Sequence, residues 1–218
     1  MSETLSGGEL ESIWPEAEVR DEAIIDRNSI LWRYGGDWRT GLTGLSAGVL
    51  QLMHPEVAAG VRQHSEFFNK PWERIFRSWP QIIGGVFDPD AEATAREIRD
   101  LHKDVKGTDE QGRNYHAFHP ETFYWTHATF HNMIEDMIDK FTTHTMTAAE
   151  RRQLYAQTTT WFERYDISTR VVPPSYDDFR QKWGFVCNNV LEMTPEAERA
   201  IGLAIDGRVN RLPIFDYL

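Results

Sequence analysis

From about residue 27 onward, apolar residues recur at intervals of three and four, and runs of strict alternation are few. That spacing lines one side of an α-helix of about 3.6 residues per turn, whereas a half-buried strand needs a period of two. The chain therefore reads as all-α. No linker-like tract divides it, so residues 27–218 are expected to form a single domain, with residues 1–26 as a polar N-terminal arm.

The helix boundaries follow from punctuation along the sequence. Thr40 to Met53 is a small-residue helix expected to stop near His54, because Pro55 disfavours helical geometry in the residue before it. Pro55 then opens the next helix at a first-turn position. Trp72 to Val86 is apolar, but Pro80 and the pair Gly84-Gly85 predict a break. In "DPDAEATAREIRDLHKDVKG" Asp88 suits the N-cap, Lys103 and Lys106 the last turn, and Gly107 the C-terminal cap. Pro120 and Glu121 begin a long helix, and Thr147 with Glu150 has the form of a capping box for the helix reaching Tyr165. Ser175–Leu191 and Pro195–Ile205 complete a predicted set of seven or eight helices.

Histidines disturb this pattern. In "ETFYWTHATFHNM" and the residues after it, Phe123, Phe130, Ile134, Met137, Ile138 and Phe141 form an apolar stripe. His127 lies inside that stripe and His131 on its shoulder. His102 continues the face of Ala91, Ala95, Ile98 and Val105, with Arg99 about 60° around the helix. His64 aligns with Val57, Val61 and Phe68. All three helices are thus expected to turn a histidine inward. Burying a polar group without a partner costs about 1–3 kcal/mol, so one such imidazole calls for a carbonyl, and several call for a shared metal or haem.

Two chemistries remain open on the residues alone. His127, His131 and Glu135 have i, i+4, i+8 spacing and, with His102 or His64, could hold one or two metal ions. The pair lacks the glutamate that follows the first histidine in metalloproteases, and no Glu-x-x-His pair recurs on two helices as in di-iron bundles. Haem asks for less: one axial imidazole, a small or polar distal group, and apolar walls.

Bulk properties narrow the partners. A net charge of −11 argues against nucleic acid or an anionic membrane. No run approaches the roughly 20 apolar residues of a membrane span, and the acidic N-terminus does not read as a secretory signal. Cys187 is the single cysteine, which excludes an intramolecular disulfide and fits a cytoplasmic protein.

"LQLMHPEVAAGVRQHSEF", "IRDLHKDVKG", "YHAFHPETFYWTHATF" and "VPPSYDDFRQKW" follow one another in an order that resembles the latex-clearing-protein-like family. These are haem-b oxygenases that include the rubber-cleaving dioxygenase and fungal ER-bound oxygenases. The resemblance runs from about Trp32 to about Leu212 and implies a globin-like helical core around a b-type haem. Matched by motif, His127 takes the proximal iron position, and Arg99 and His102 of "RDLHK" the distal face. Trp125 and Phe130, beside His127, would wall the cofactor. The rubber-cleaving enzyme has lysine at the position matched to His102, and an enzyme attacking an extracellular polymer would be expected to carry a signal peptide. Rubber is therefore not the expected substrate.

The resemblance implies a haem-dependent oxygenase or oxidase acting, with O₂, on a small and fairly apolar metabolite. A non-haem metalloenzyme on His127, His131 and Glu135, and a non-catalytic haem carrier or sensor, are the alternatives. Beside the resemblance His64 is read as structural and carbonyl-bonded, and His54 as holding a turn or cap. His116, His119 and His144 are expected at the surface, and Arg33 and Arg39 in surface salt bridges or on haem propionates. Trp38, Trp72, Trp79 and Trp125 are expected in the core or a pocket wall.

Overall fold

The computed structural model describes residues 23–205, so most of the expected N-terminal arm lies outside the described residues. Within that range the order is α1 (Ile30–Gly35), α2 (Thr40–Leu52), α3 (Pro55–His64), α4 (Pro71–Phe87), α5 (Ala91–Asp100), β1 (Lys106–Thr108) and β2 (Asn114–His116). Then come α6 (Pro120–Phe141), α7 (Ala148–Glu163), a 3-10 turn (Thr169–Val171), α8 (Tyr176–Asn189) and α9 (Pro195–Ile205). Among the described residues the protein is all-α apart from one small antiparallel hairpin.

Most boundaries follow the predicted chemistry. His54 stands at the N-cap of α3 in extended backbone, and its carbonyl accepts from the Ala58 N–H at 2.9 Å. At α7 the capping box is complete: Glu150 N–H donates to Thr147 Oγ1 at 3.2 Å, and Thr147 N–H to Glu150 Oε2 at 2.7 Å. Each bond satisfies a donor that the first turn would otherwise leave open.

Two boundaries differ from expectation. First, α4 runs unbroken through Pro80 and Gly84-Gly85. Proline removes one helical bond, but Val86 is buried beyond it, and Ile82 and Phe87 pack on the main core, which holds the helix together. Gly85 has a packing role: a Cβ there would come within 2.7 Å of Trp161 Nε1. Second, Asp90 rather than Asp88 caps α5, accepting from Ala93 N–H at 2.9 Å. The helix ends at Asp100, so Lys103, Lys106 and Gly107 are not its last turn and cap. Strand pairing takes that segment, with Gly107 opposite Tyr115 and the Val105 carbonyl accepting from Ala117 N–H at 2.9 Å. Helix propensity is a weak preference that such tertiary pairing overrides.

The 22-residue α6 runs through the middle of the molecule. α2 lies along it, α1 and α7 also pack on it, and α4 pairs with α5. Met137, Ile138, Leu154, Phe162 and Phe179 are fully buried in the main core, each contributing about 1.5–3 kcal/mol by leaving water. A smaller cluster of Leu52, Ala197 and Ala200 joins α2 to α9, where Thr194 Oγ1 donates to the Leu52 carbonyl at 2.6 Å. Among the described residues, no helix is long and apolar enough to cross a membrane.

Candidate functional site

A cavity of about 360 Å³ opens between α3, α4, the end of α5, the hairpin and the first half of α6. Its size lies within the range of small-molecule sites. Ile82, Ile98, Phe123 and Phe130 give it apolar walls, while Arg74, Ser78, His102 and His127 bring polar groups to it.

His127 sits at the centre of the aromatic core. Its ring packs on Trp161, Phe162 and Tyr165 with centroids 4.8, 5.3 and 5.8 Å away. Nε2 lies 2.8 Å from the Thr158 carbonyl, which can only accept, so the ring proton is on Nε2. Nδ1 is buried and has no partner. Burial pushes the pKa down to about 3; the Thr158 carbonyl opposes this and the charge of His131 assists it. The imidazole is therefore neutral and holds a free electron pair on Nδ1. That is the state in which histidine ligates a metal.

His102 belongs to the turn after α5 and lines the same cavity. Its Nδ1–H donates to the Ile98 carbonyl at 2.8 Å, which leaves Nε2 as the electron-pair nitrogen. Burial lowers its pKa, the Ile98 carbonyl works against that, and the positive charge of Arg74 lowers it further. Phe123 meets the ring edge-on at 6.4 Å. His127 and His102 thus face one cavity from two elements, as the helical wheels predicted.

Other expected site residues stand elsewhere. Arg99 does not line the cavity: it donates to Asp100 at 2.8 Å, to Asp166 at 3.0 Å and to the Tyr165 carbonyl at 3.4 Å. It turns away because the carboxylates of Asp100 and Asp166, outside the cavity, hold the guanidinium. Trp125 is buried on another side of α6, bonded to the Leu50 carbonyl at 3.2 Å and packed on Trp183 at 4.8 Å. Phe130 does line the cavity, stacked on Trp161 at 5.9 Å. His64 is exposed at the rim, not interior, but its Nε2 bonds the Lys106 carbonyl at 3.1 Å as expected of a structural histidine. Arg39 pairs with Asp37, Arg33 lies over the Tyr34 ring, and neither lines the cavity. Trp38 is 78% exposed and so is no wall residue, whereas Trp79 is half-buried; the Trp72 side chain lies outside the described residues.

The histidine–glutamate chelate is not assembled. His131 donates from Nδ1 to Thr158 Oγ1 at 3.0 Å and packs on Phe179 and Tyr155. Glu135 is taken by Arg151 and by the Tyr176 hydroxyl, with Arg180 at 3.7 Å. Burial would raise its pKa, but His131, Tyr176 and Arg151 together hold it at about 2. Among the described residues, no three His, Cys, Asp or Glu side chains converge on a point where a metal ion could sit.

Sequence reasoning missed Arg74 and Ser78, which line the cavity from α4. The signal was present: residues 74, 78 and 82 are one turn apart and share a helical face. The expected break at Pro80 hid it. Tyr115 and His116 reach the cavity from the hairpin, whose pairing no local pattern announced.

A comparison with known families extends this picture. Searches of curated proteins and of solved structures gave no match. One family model matches residues 32–214, and its description is "ER-bound oxygenase mpaB/B'/Rubber oxygenase, catalytic domain". The match spans every element that borders the cavity. Taken with the all-α fold and the paired histidines, it establishes that this chain belongs to the ER-bound oxygenase mpaB/B'/rubber oxygenase catalytic-domain family.

Proposed function

We propose that the chain is a haem-b-dependent oxygenase acting with O₂ on a small, fairly apolar metabolite. His127 would hold the haem iron, and His102 would be a second polar group on the wall of the same cavity. The observation that carries this reading is a neutral, buried imidazole with an unpartnered Nδ1, lining the same cavity as a second histidine. The residues fit the group. One electron-pair donor, a polar residue opposite and aromatic walls are what haem requires. The converging ligands of a non-haem site are not assembled among the described residues.

Bound at His127, haem would supply O₂ activation. The protein's own residues do the rest. The Thr158 carbonyl holds the His127 proton on Nε2 and makes Nδ1 the more basic nitrogen. Phe123, Phe130, Ile82 and Ile98 exclude water and receive an apolar ligand body. His102, neutral at pH 7, offers Nε2 as a hydrogen-bond acceptor or general base. Arg99 serves as a positioning residue, tying the end of α5 to Tyr165, another cavity-lining residue.

An absorption spectrum tests the assignment. Protein supplied with hemin should show a Soret band that disappears in His127→Ala and persists, shifted, in His102→Ala. No Soret band in the wild type, or one indifferent to His127→Ala, overturns it.

A further inference from the structure

α4 carries to the cavity wall polar groups that nothing else in the described protein answers. Arg74 forms no ion pair or side-chain hydrogen bond among the described residues, and the charge acting on it is that of Arg77, of the same sign. Burial and that repulsion push its pKa below the ordinary arginine value, although a guanidinium stays charged. One turn on, Ser78 Oγ is buried without a partner. Several other arginines that are not fully exposed are paired, as Arg62 is with Glu110 and Glu196 and Arg151 with Glu135 and Asp139. In a chain of net charge −11, an unanswered cation beside an apolar cavity is an unsatisfied demand for an anion.

We propose that Arg74 and Ser78 form a carboxylate-binding subsite, which holds the acid group of a ligand whose apolar body lies against Ile82, Ile98, Phe123 and Phe130. The guanidinium can grip both carboxylate oxygens, and the serine hydroxyl adds a third donor from the same helix face. A single positive charge matches a singly charged carboxylate better than a phosphate dianion. The acid group has two possible sources, a porphyrin propionate or the substrate. The propionate source rests on the proposed function, and the substrate source does not.

The test titrates four probes into wild type, Arg74→Gln, Arg74→Lys and Ser78→Ala, with the exposed Arg77→Gln as a charge control. Hemin is compared with hemin dimethyl ester by absorption, and dodecanoate with 1-dodecanol by calorimetry. Arg74→Gln should weaken one acid by about tenfold or more and leave its ester or alcohol partner unchanged. Arg74→Lys, which keeps the charge and loses the fork, should lie between. Selective loss of hemin identifies the propionate; selective loss of dodecanoate identifies a substrate carboxylate. The proposal is overturned if wild type prefers neither acid to its uncharged partner, if Arg74→Gln binds both acids as wild type does, or if Arg77→Gln has the same effect. Should hemin give no Soret band with wild type, the haem assignment falls while dodecanoate still decides the subsite.

Discussion

Two consecutive turns of α6 carry a histidine each, and the two are treated in opposite ways. The His131 turn is closed: Thr158 and the rings of Tyr155, Tyr176 and Phe179 surround it, and its Nε2, which makes no hydrogen bond, lies 3.6 Å from the Glu135 carboxylate, itself held by Arg151 and Tyr176. The His127 turn is left open. One ring nitrogen is fixed by a carbonyl and the other is unpartnered, on a residue lining a cavity. Each ring keeps one nitrogen without a hydrogen bond, but that of His131 faces a carboxylate inside a packed network, whereas that of His127 belongs to a residue lining a cavity, where a ligand can answer it. Thr158 serves both turns through different atoms, its hydroxyl to His131 and its carbonyl to His127.

The contrast can be broken most severely at Glu135. Glu135→Ala leaves Arg151 and the Tyr176 hydroxyl facing a void, and should cost about 3 kcal/mol or more in urea unfolding. A loss below about 1 kcal/mol would mean that the network is not the structural half of the pair. The next effect is read against pH. Folded His127 resists protonation down to about 3, while the unfolded chain takes its proton near 6.5. Stability is therefore whole above 6.5 and falls with pH toward 3, by about 1.4 kcal/mol per pH unit for this group. Glu135, depressed from 4.5 to about 2, adds stability that is complete above 4.5 and lost as pH falls toward 2. Between pH 6.5 and 4.5 the wild type should lose stability faster than His127→Gln, and equal slopes would deny that folded His127 stays neutral. The mildest change is Thr158→Val, which removes the hydroxyl from His131 and keeps the carbonyl for His127. It should lower stability by about 1 kcal/mol without moving the Soret maximum of the hemin-loaded protein. A shifted maximum would show that the two turns are coupled.

Much of this was legible in the sequence where the cause is local. The spacing that made α6 a helix also placed His127 inside its apolar stripe, and Thr147 with Glu150 announced the start of α7. Arg99 and Trp125 misled for a shared reason. A helical wheel gives a direction, but which neighbour stands there depends on packing between distant segments. Arg99 found Asp166, and Trp125 found Leu50 and Trp183. Arg74 was hidden because Pro80 reads locally as a break, and only burial beyond it keeps α4 whole.

The all-α class, most helix starts, the family resemblance and the inward placement of His127 and His102 could be read along the chain. Those follow from periodicity, capping chemistry and motif order, all written along the chain. Tertiary structure alone decided which histidine is closed and which is open, and that Arg74 rather than Arg99 reaches the cavity. It also made residues 106–116 a hairpin. Each of those outcomes depends on which hydrogen-bond and ion-pair partners arrive from far along the chain.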